Sequence, residues 1–473
     1  MYSSMRFIRT VSYVTSYLVL TACSVGPRYE APMPNAPEKW QSVSLSDQPN
    51  HRAWWRLFHD PTLNHLIEQS AVCNLSMQTA RARVRAAQAD YAVAFAQLFP
   101  KVNANLLPPD GTGTGLTQVL ALTASLEPDL FGKQRQNRQR TEAIVQAEQA
   151  EHDFALLHLQ AEIAAAYLEF REAQGRAAAF RHNLIASRQL LTLLRSKYQS
   201  GLTNYLPLAQ QEALIAAQMS EIEQNQALMI AMMHKIEQLI GRNPGMLAKQ
   251  LSQTHPIPQM QQSINLTTPS EILTRRPDII AAERRVAAAH ADIRVAIANL
   301  FPKISIGWLQ AWQPQSLAGN FLAIQNSTST FLGTFDAPLL NLTLYRMVDL
   351  KKREKALAVI QYHQAVMRAL HEVETQYQYS QHYKKSANYL KQALEKKHVA
   401  LDLSTDLYQK GAADFNTVLH AEEDLNQLEV SYLHQVVLYQ VAQINLYTAL
   451  GGGIPNSVKP VSKGCHTCRV NKQ

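Results

Sequence analysis

The chain has 473 residues, 46% of them apolar and 17% charged, with a formal net charge of +8. That length allows two or three ordinary domains with buried cores. The basic residues form no stripe interleaved with aromatics, which argues against nucleic-acid binding. Beyond the N-terminal stretch no run of 18 or more apolar residues occurs, so no transmembrane helix is expected, and any membrane crossing would fall to strands.

In chain order, "MYSSMRFIRT" carries Arg6 and Arg9 and is followed by the uncharged "VSYVTSYLVLTAC". A basic start, a short apolar stretch and small residues before a cleavage point make an export signal over residues 1–22. The ending "LTAC" matches a bacterial lipobox, which predicts Cys23 as the first mature residue and a lipidation site; a conventional signal with an incidental cysteine is the alternative. Ser24, not Asp, at the next position points to the outer membrane. Several acyl chains on one cysteine would hold the protein to a bilayer far better than one. Residues 23–59 are the lipidated segment that follows.

Residues 60–241 read as one structural unit. From about Asp60 to Gln97 the chain keeps helical spacing until Pro100 ends it. A β-hairpin over 101–128 follows, its two strands separated by the turn-rich "DGTGTG". In the second strand Leu120, Leu122, Ala124 and Leu126 share one face, opposite Ala121, Thr123, Ser125 and Glu127. That alternation suits a strand with lipid on one side. It also fits a soluble sheet. From Gly132 to Gln199 there is no proline and one internal glycine, so a helix of roughly 100 Å is expected at ~1.5 Å per residue. Such a helix is too polar for lipid and too long for a globular core, so it should pack coiled-coil fashion beside others. It ends at "KYQSG", and a returning helix runs from about Tyr205 to Ile240, closed by Gly241.

After a linker over 242–270, the same order recurs in 271–451: a helix, a hairpin over 303–339, a long helix from about Thr343 to Gln409, the turn "LYQKG", and a helix from Phe415 to Leu450. Residues 80–101 and 282–303 are identical at 14 of 22 positions, and both end in "LFPK". The chain therefore reads as an internal duplication. In the second hairpin Ile304, Ile306, Trp308 and Trp312 share one face, and the two tryptophans suit an interfacial aromatic girdle. Four strands cannot close a barrel alone, and open edges in hydrocarbon leave backbone groups unsatisfied. Several chains would have to share one barrel, most simply with cyclic symmetry.

The segments "CSVGPRYEAP", "WWRLFHDPTLNHLIEQS", "LTRRPDIIAAERRVAAAHADIRVAIANLFPKISI" and "EPDLFGKQRQ", with the paired "YQSG" and "YQKG" turns, resemble the TolC family. Within it they are most similar to the NodT-type outer-membrane lipoproteins of tripartite efflux systems, over roughly residues 20 to 455. The resemblance implies a mixed fold. A homotrimeric outer-membrane β-barrel, four strands per chain and twelve in total, would be continued by a long periplasmic α-helical barrel. An equatorial domain from residues 36–59, 242–270 and the tail 452–473 would belt it. The partners implied are a periplasmic adaptor, an inner-membrane pump and outer-membrane lipid.

By the same resemblance the helix–turn–helix tips dock the adaptor: Tyr198, Gln199, Gly201, Leu202 and Thr203 in one, and Tyr408, Gln409, Gly411, Ala412 and Ala413 in the other. Each glycine is equally a left-handed turn position. Related channels narrow nine residues beyond the second glycine through acidic side chains; here that position is His420, with Asp414 and Thr417 before it. A ring of histidines would charge between about pH 5 and 8, making these three a candidate pore gate; a solvated outward histidine is the alternative.

No catalytic pattern stands out: there is no phosphate loop, no H-E-x-x-H and no G-x-S-x-G. No cofactor is expected. The cluster Met229, Met232, Met233 and His234 has soft-metal chemistry but also the spacing of packed core. Cys73 reads as a packed thiol, and Cys465 and Cys468 as a possible small disulfide. The expected function is a passive outer-membrane conduit for small molecules; the alternatives are the conduit of a type I secretion system and a non-channel coiled-coil lipoprotein.

Overall fold

The computed structural model describes residues 25–33, 37, 40, 53–107, 119–260, 269–315 and 323–452. The signal segment, Cys23, the hairpin turns and the tail with Cys465 and Cys468 lie outside the described residues. After a 3₁₀ turn at Trp54–Phe58, the elements are α1 (Pro61–Cys73), α2 (Leu75–Ala96), β1 (Lys101–Leu107), β2 (Val119–Leu126), α3 (Lys133–Gln199) and α4 (Leu206–Leu239). There follow α5 (Ala248–Leu251), α6 (Pro269–Arg275), α7 (Pro277–Ala298), β3 (Lys303–Gln315), β4 (Ala323–Asp336), α8 (Leu342–Gln409) and α9 (Phe415–Ala449). No described helix is long and apolar enough to cross a membrane.

Packing divides the chain differently from the sequence halves. One compact unit takes Met1–Pro34, Ala82–Ala150 and Asp278–Ala365; the other takes Asn35–Arg81, Glu151–Pro277 and Val366–Gln473. Each unit thus draws on both halves.

The first unit holds a four-stranded antiparallel sheet in the order β1-β2-β3-β4. Residues directly opposite share a face, so the register sorts the side chains. Val102, Ala124, Trp308 and Phe331 fall in one row, with Ile304 and Phe335 on the same side. Asn103, Thr123, Leu309 and Thr330 form a row on the other, alongside Ser305 opposite Thr334 and Lys303 opposite Asp336. One face is apolar and aromatic; the other is mostly polar. The expected alternation holds, and Trp308 donates its Nε1 hydrogen to Ser329 Oγ at 2.8 Å.

The same unit carries a strap, residues 25–33, laid on α7. Tyr29 donates from its hydroxyl to Glu283 Oε1 at 2.5 Å, and His290 Nε2 lies 3.0 Å from the Pro27 carbonyl oxygen. The ring of Tyr29 packs against His290 at 5.4 Å between centroids. His290 is buried, and that burial lowers its pKa against the opposing pull of the Pro27 hydrogen bond. Against a carbonyl oxygen Nε2 is the donor.

The second unit is helical. A stripe on α3 at Leu156, Leu159, Ile163, Tyr167 and Phe170 repeats at three- and four-residue steps and joins a core with Trp54, Leu63, Ile236 and Tyr447. Trp54 is fully buried and stacks on Tyr447 at 6.3 Å. Gly175 of α3 faces Leu433 of α9, where an added Cβ would make an ordinary contact at 3.6 Å. Met229, Met232 and Met233 pack against this core, the gap-filling use of thioethers. Among the described residues no group of three His, Cys, Asp or Glu could hold a metal.

Two expectations need correction. The first helix breaks at Asn74, which joins α1 to α2 without lengthening either: its Oδ1 accepts from Met77 N at 2.9 Å and its Nδ2 donates to Leu239 O at 2.7 Å. An asparagine that caps one helix competes with continuing the previous one. Cys73, read as a packed thiol, is disulfide-bonded; it is the half-exposed last residue of α1, not a core position.

Candidate functional site

The tips come from one local rule used twice. At the end of α3 the Gly201 N–H donates to Tyr198 O at 3.0 Å and Leu202 N–H to Lys197 O at 2.9 Å. At the end of α8, Gly411 N–H donates to Tyr408 O at 3.1 Å and Ala412 N–H to Leu407 O at 2.8 Å. This pair of bonds is a Schellman close, which places glycine in the left-handed region. Gly201 and Gly411 have φ of +71° and +76°, and a Cβ on either would meet nothing within 4 Å. Their requirement is conformational only.

The two tips differ in what they present. Tyr198 and Leu202 are exposed, Leu202 at 76%, and Tyr198 meets Tyr205 edge-on at 5.8 Å. Gln199 is exposed too, and Thr203 half-buried. In the second tip Tyr408 is buried, packed edge-on against Phe415 at 5.7 Å. Lys197 Nζ lies 4.1 Å from the Tyr408 ring centroid, a cation–π contact. Tyr408 thus supports the tips from inside a cluster with Leu190, Leu194, Leu208 and Val418. Gln409, Gly411 and Ala412 face solvent, and Ala413 is half-buried.

The three gate candidates lie at the start of α9. Asp414 is its N-cap residue, with extended backbone, and Thr417 N–H donates to the Asp414 carbonyl at 3.1 Å. His420 is exposed, and its Nδ1 lies 3.4 Å from Glu423 Oε2. The neighbouring Glu422 is buried instead, where it accepts from Gln211 Nε2 at 3.1 Å. Burial raises its pKa, against hydrogen bonds from Gln211 and Ser187 that lower it. Between α3 and α8, a groove of about 730 Å³ runs to the tips, lined by Lys197, Asp402, Asp406 and Glu422 among others.

Away from the tips, one buried network escaped sequence reading. Asp60 caps α1 through Oδ1, accepting from Thr62 N at 2.8 Å and Leu63 N at 3.0 Å. Its Oδ2 accepts from Tyr167 OH at 2.7 Å, and that hydroxyl accepts from Arg171 Nε at 3.0 Å. Arg171 Nη1 reaches on to the Gln253 carbonyl at 2.8 Å. Burial, then the bond to Asp60, pushes the Tyr167 pKa up to about 12. The chain of donors carries the buried Arg171 charge toward a carboxylate it does not touch and ties residues 251–253 to α3. The signal available in sequence was only a lone arginine on an otherwise apolar stripe.

Comparison with known proteins now bears on these parts. A family model described as outer membrane efflux protein matches residues 66–242 and 268–452. The chain is 28% identical to nodulation protein T of Rhizobium leguminosarum bv. trifolii, over 97% of this chain and 99% of that protein. It is 29% identical to the pyoverdine export outer membrane protein OpmQ of Pseudomonas aeruginosa, over 94% of this chain and 97% of that one. Among solved structures, the outer-membrane channel OprN superposes with a TM-score of 0.83 at 27% identity, covering 91% of this chain and 99% of that chain. The TolC-type resemblance, and the outer-membrane location expected from it, are borne out. The chain belongs to the outer membrane efflux protein family and is an outer-membrane component of an efflux system.

Proposed function

We propose that three copies form a passive conduit, sharing a twelve-stranded barrel in the outer membrane and an α-helical tube in the periplasm. The observation that carries this is the sheet. It has one largely apolar face, interrupted where Gln310 pairs with Ser329 and Trp312 with Ser327, and within the described residues β1 and β4 each pair on one side only. Lipid against that face would leave two rows of edge amides and carbonyls without partners unless further copies supply them. Cys23 would add a lipid anchor.

Energy and selectivity come from an inner-membrane pump, coupled through a periplasmic adaptor; the conduit hydrolyses nothing. The exposed Tyr198, Leu202 and Tyr205 give the adaptor an aromatic and aliphatic surface, held by the buried Tyr408. The cargo is small molecules. Negative-stain electron microscopy of detergent-extracted protein tests the whole reading. Three-fold tubes longer than ~100 Å, the span of one long helix, are the expected result; monomers or rods without a channel would sink it.

The gate falls at Asp414, Thr417 and His420, where exposed side chains of three chains would meet. A histidine changes charge between about pH 5 and 8. Bilayer conductance of the parent is expected to vary across that range and that of His420→Asn to be flat; an unchanged pH response in the variant would remove His420 from the gate.

A further inference from the structure

Cys73 is the one cysteine among the described residues, and it is disulfide-bonded. The sequence has four cysteines, so the partner within the chain is Cys23, Cys465 or Cys468. Lipidation would turn the sulfur of Cys23 into a thioether, which leaves no thiol to oxidise. On that reading of Cys23 the partner belongs to the C-terminal tail.

The fold starts the tail close enough to Cys73. Gly452, where the described residues end, donates its N–H to Tyr447 O at 3.0 Å. Tyr447 stacks on Trp54 and shares a core with Leu63, Leu66 and Ile67 of α1. The chain therefore leaves this core beside the helix that Cys73 ends. That helix has 13 residues, a length of roughly 20 Å at ~1.5 Å per residue. The stretch from Gly452 to Cys465 can extend ~40 Å at ~3.3 Å per residue, about twice the length of the helix. Cys73 itself is half-exposed, and Gln78 Nε2 holds its carbonyl at 3.3 Å. Its backbone is fixed while its side chain can be reached.

The internal duplication gives the link its place. At the repeat spacings, 202 for the short helices and 210 for the closing glycines, Cys73 corresponds to Arg275 and Gly241 to Gly451. In each half the glycine lies against the last residue of a short helix. A Cβ on Gly241 would meet the Cys73 carbonyl oxygen at 2.4 Å, and one on Gly451 the Arg275 carbonyl oxygen at 3.4 Å. After Gly241 the chain is fastened by buried polar groups. Glu237 accepts from Gly245 N and Leu247 N, and Arg171 donates to the Gln253 carbonyl. After Gly451 the sequence offers another kind of fastener, a pair of cysteines.

We infer that Cys73 is a cross-linking site for the C-terminal tail: its Sγ is bonded to that of Cys465 or Cys468, and the other tail cysteine keeps its thiol. The pairing takes the place of the small Cys465–Cys468 ring expected from sequence. It rests on the lipoprotein reading of Cys23. In forming the bond the two thiols give two electrons and two protons to the disulfide of a periplasmic thiol-oxidising protein, which leaves as a dithiol. The second unit is assembled from three separate stretches of chain, and the link joins the first of them, Asn35–Arg81, to the last, Val366–Gln473. A cross-link between stretches so far apart in sequence restricts the unfolded chain severely.

The test is peptide mapping of the full-length protein extracted from outer membranes, alkylated with iodoacetamide before any reductant and cut with trypsin. Peptide 57–81 joined to peptide 464–469, with one alkylated cysteine in the latter, is the expected result. Reduction should separate the two, and a non-reducing denaturing gel should show a single-chain band. An alkylated Cys73, whatever the state of 464–469, would overturn the inference and leave the lipidation of Cys23 standing. So would the joined peptide confined to covalent multimers, because the tail would then come from another copy. Peptide 57–81 joined to the peptide of Cys23 would overturn both.

Discussion

Gly241→Ala is expected to destabilise the protein by about 3 kcal/mol or more, combining a left-handed backbone penalty with overpacking. Gly241 ends α4 with φ of +69°, and an added Cβ would lie 2.4 Å from the Cys73 carbonyl oxygen and 3.0 Å from its carbon. That obstacle is backbone, so no rotamer change removes it. Immediately beyond, the buried Glu237 accepts from Gly245 N at 2.9 Å and Leu247 N at 2.7 Å, fixing the loop that would have to move. Gly201→Ala and Gly411→Ala are the comparison, because they share the positive φ but face open space. Each should cost about 1–2 kcal/mol, the left-handed penalty alone. Denaturation midpoints of the three variants under one condition decide the matter: equal shifts would mean that the contact with Cys73 carries no energy.

Arg276→Ala should cost about 2–3 kcal/mol, the range for losing charge-assisted hydrogen bonds from a buried guanidinium whose partner Glu372 is itself half-buried. Arg276 is 3% exposed; its Nη1 donates to the Ala449 carbonyl at 2.8 Å and to Glu372 Oε2 at 2.9 Å. Ala449 is the last residue of α9, so a cation there also meets the negative end of the helix dipole. Arg276→Lys keeps the charge but loses the planar fork, and should recover only part of the loss. The readout is the thermal midpoint of each variant beside Glu372→Gln. If Arg276→Ala melts with the parent, the arginine is a bystander in the "RRPD" segment.

Much of this architecture was legible in the sequence because it is periodic. The long helices follow from a 67-residue stretch without proline, and the strand faces from strict alternation carried through by the register. What escaped was set by residues distant in sequence. Nothing near Asn74 announces that its side chain will bond Leu239, so the helix break was invisible. Nothing in the sequence near Arg171 shows that Tyr167, Asp60 and Gln253 close around it. The two tips read alike, "YQSG" and "YQKG", yet Tyr198 is exposed and Tyr408 buried. Tyr198 meets Tyr205 and Tyr408 meets Phe415, and what each aromatic packs on is a tertiary fact.

The strap on α7 has a further meaning for how a doubled chain came to differ from itself. Its contacts fall on Glu283 and His290, with Gly26 against Arg294 and Ile297. In the sister helix α2 the matching residues are Arg81, Gln88, Ala92 and Phe95. All four belong to the minority of positions at which the two stretches disagree. A peptide that occurs once per chain can occupy only one of two near-identical berths. The berth it took is thus set apart from its twin at each of the four positions the strap touches.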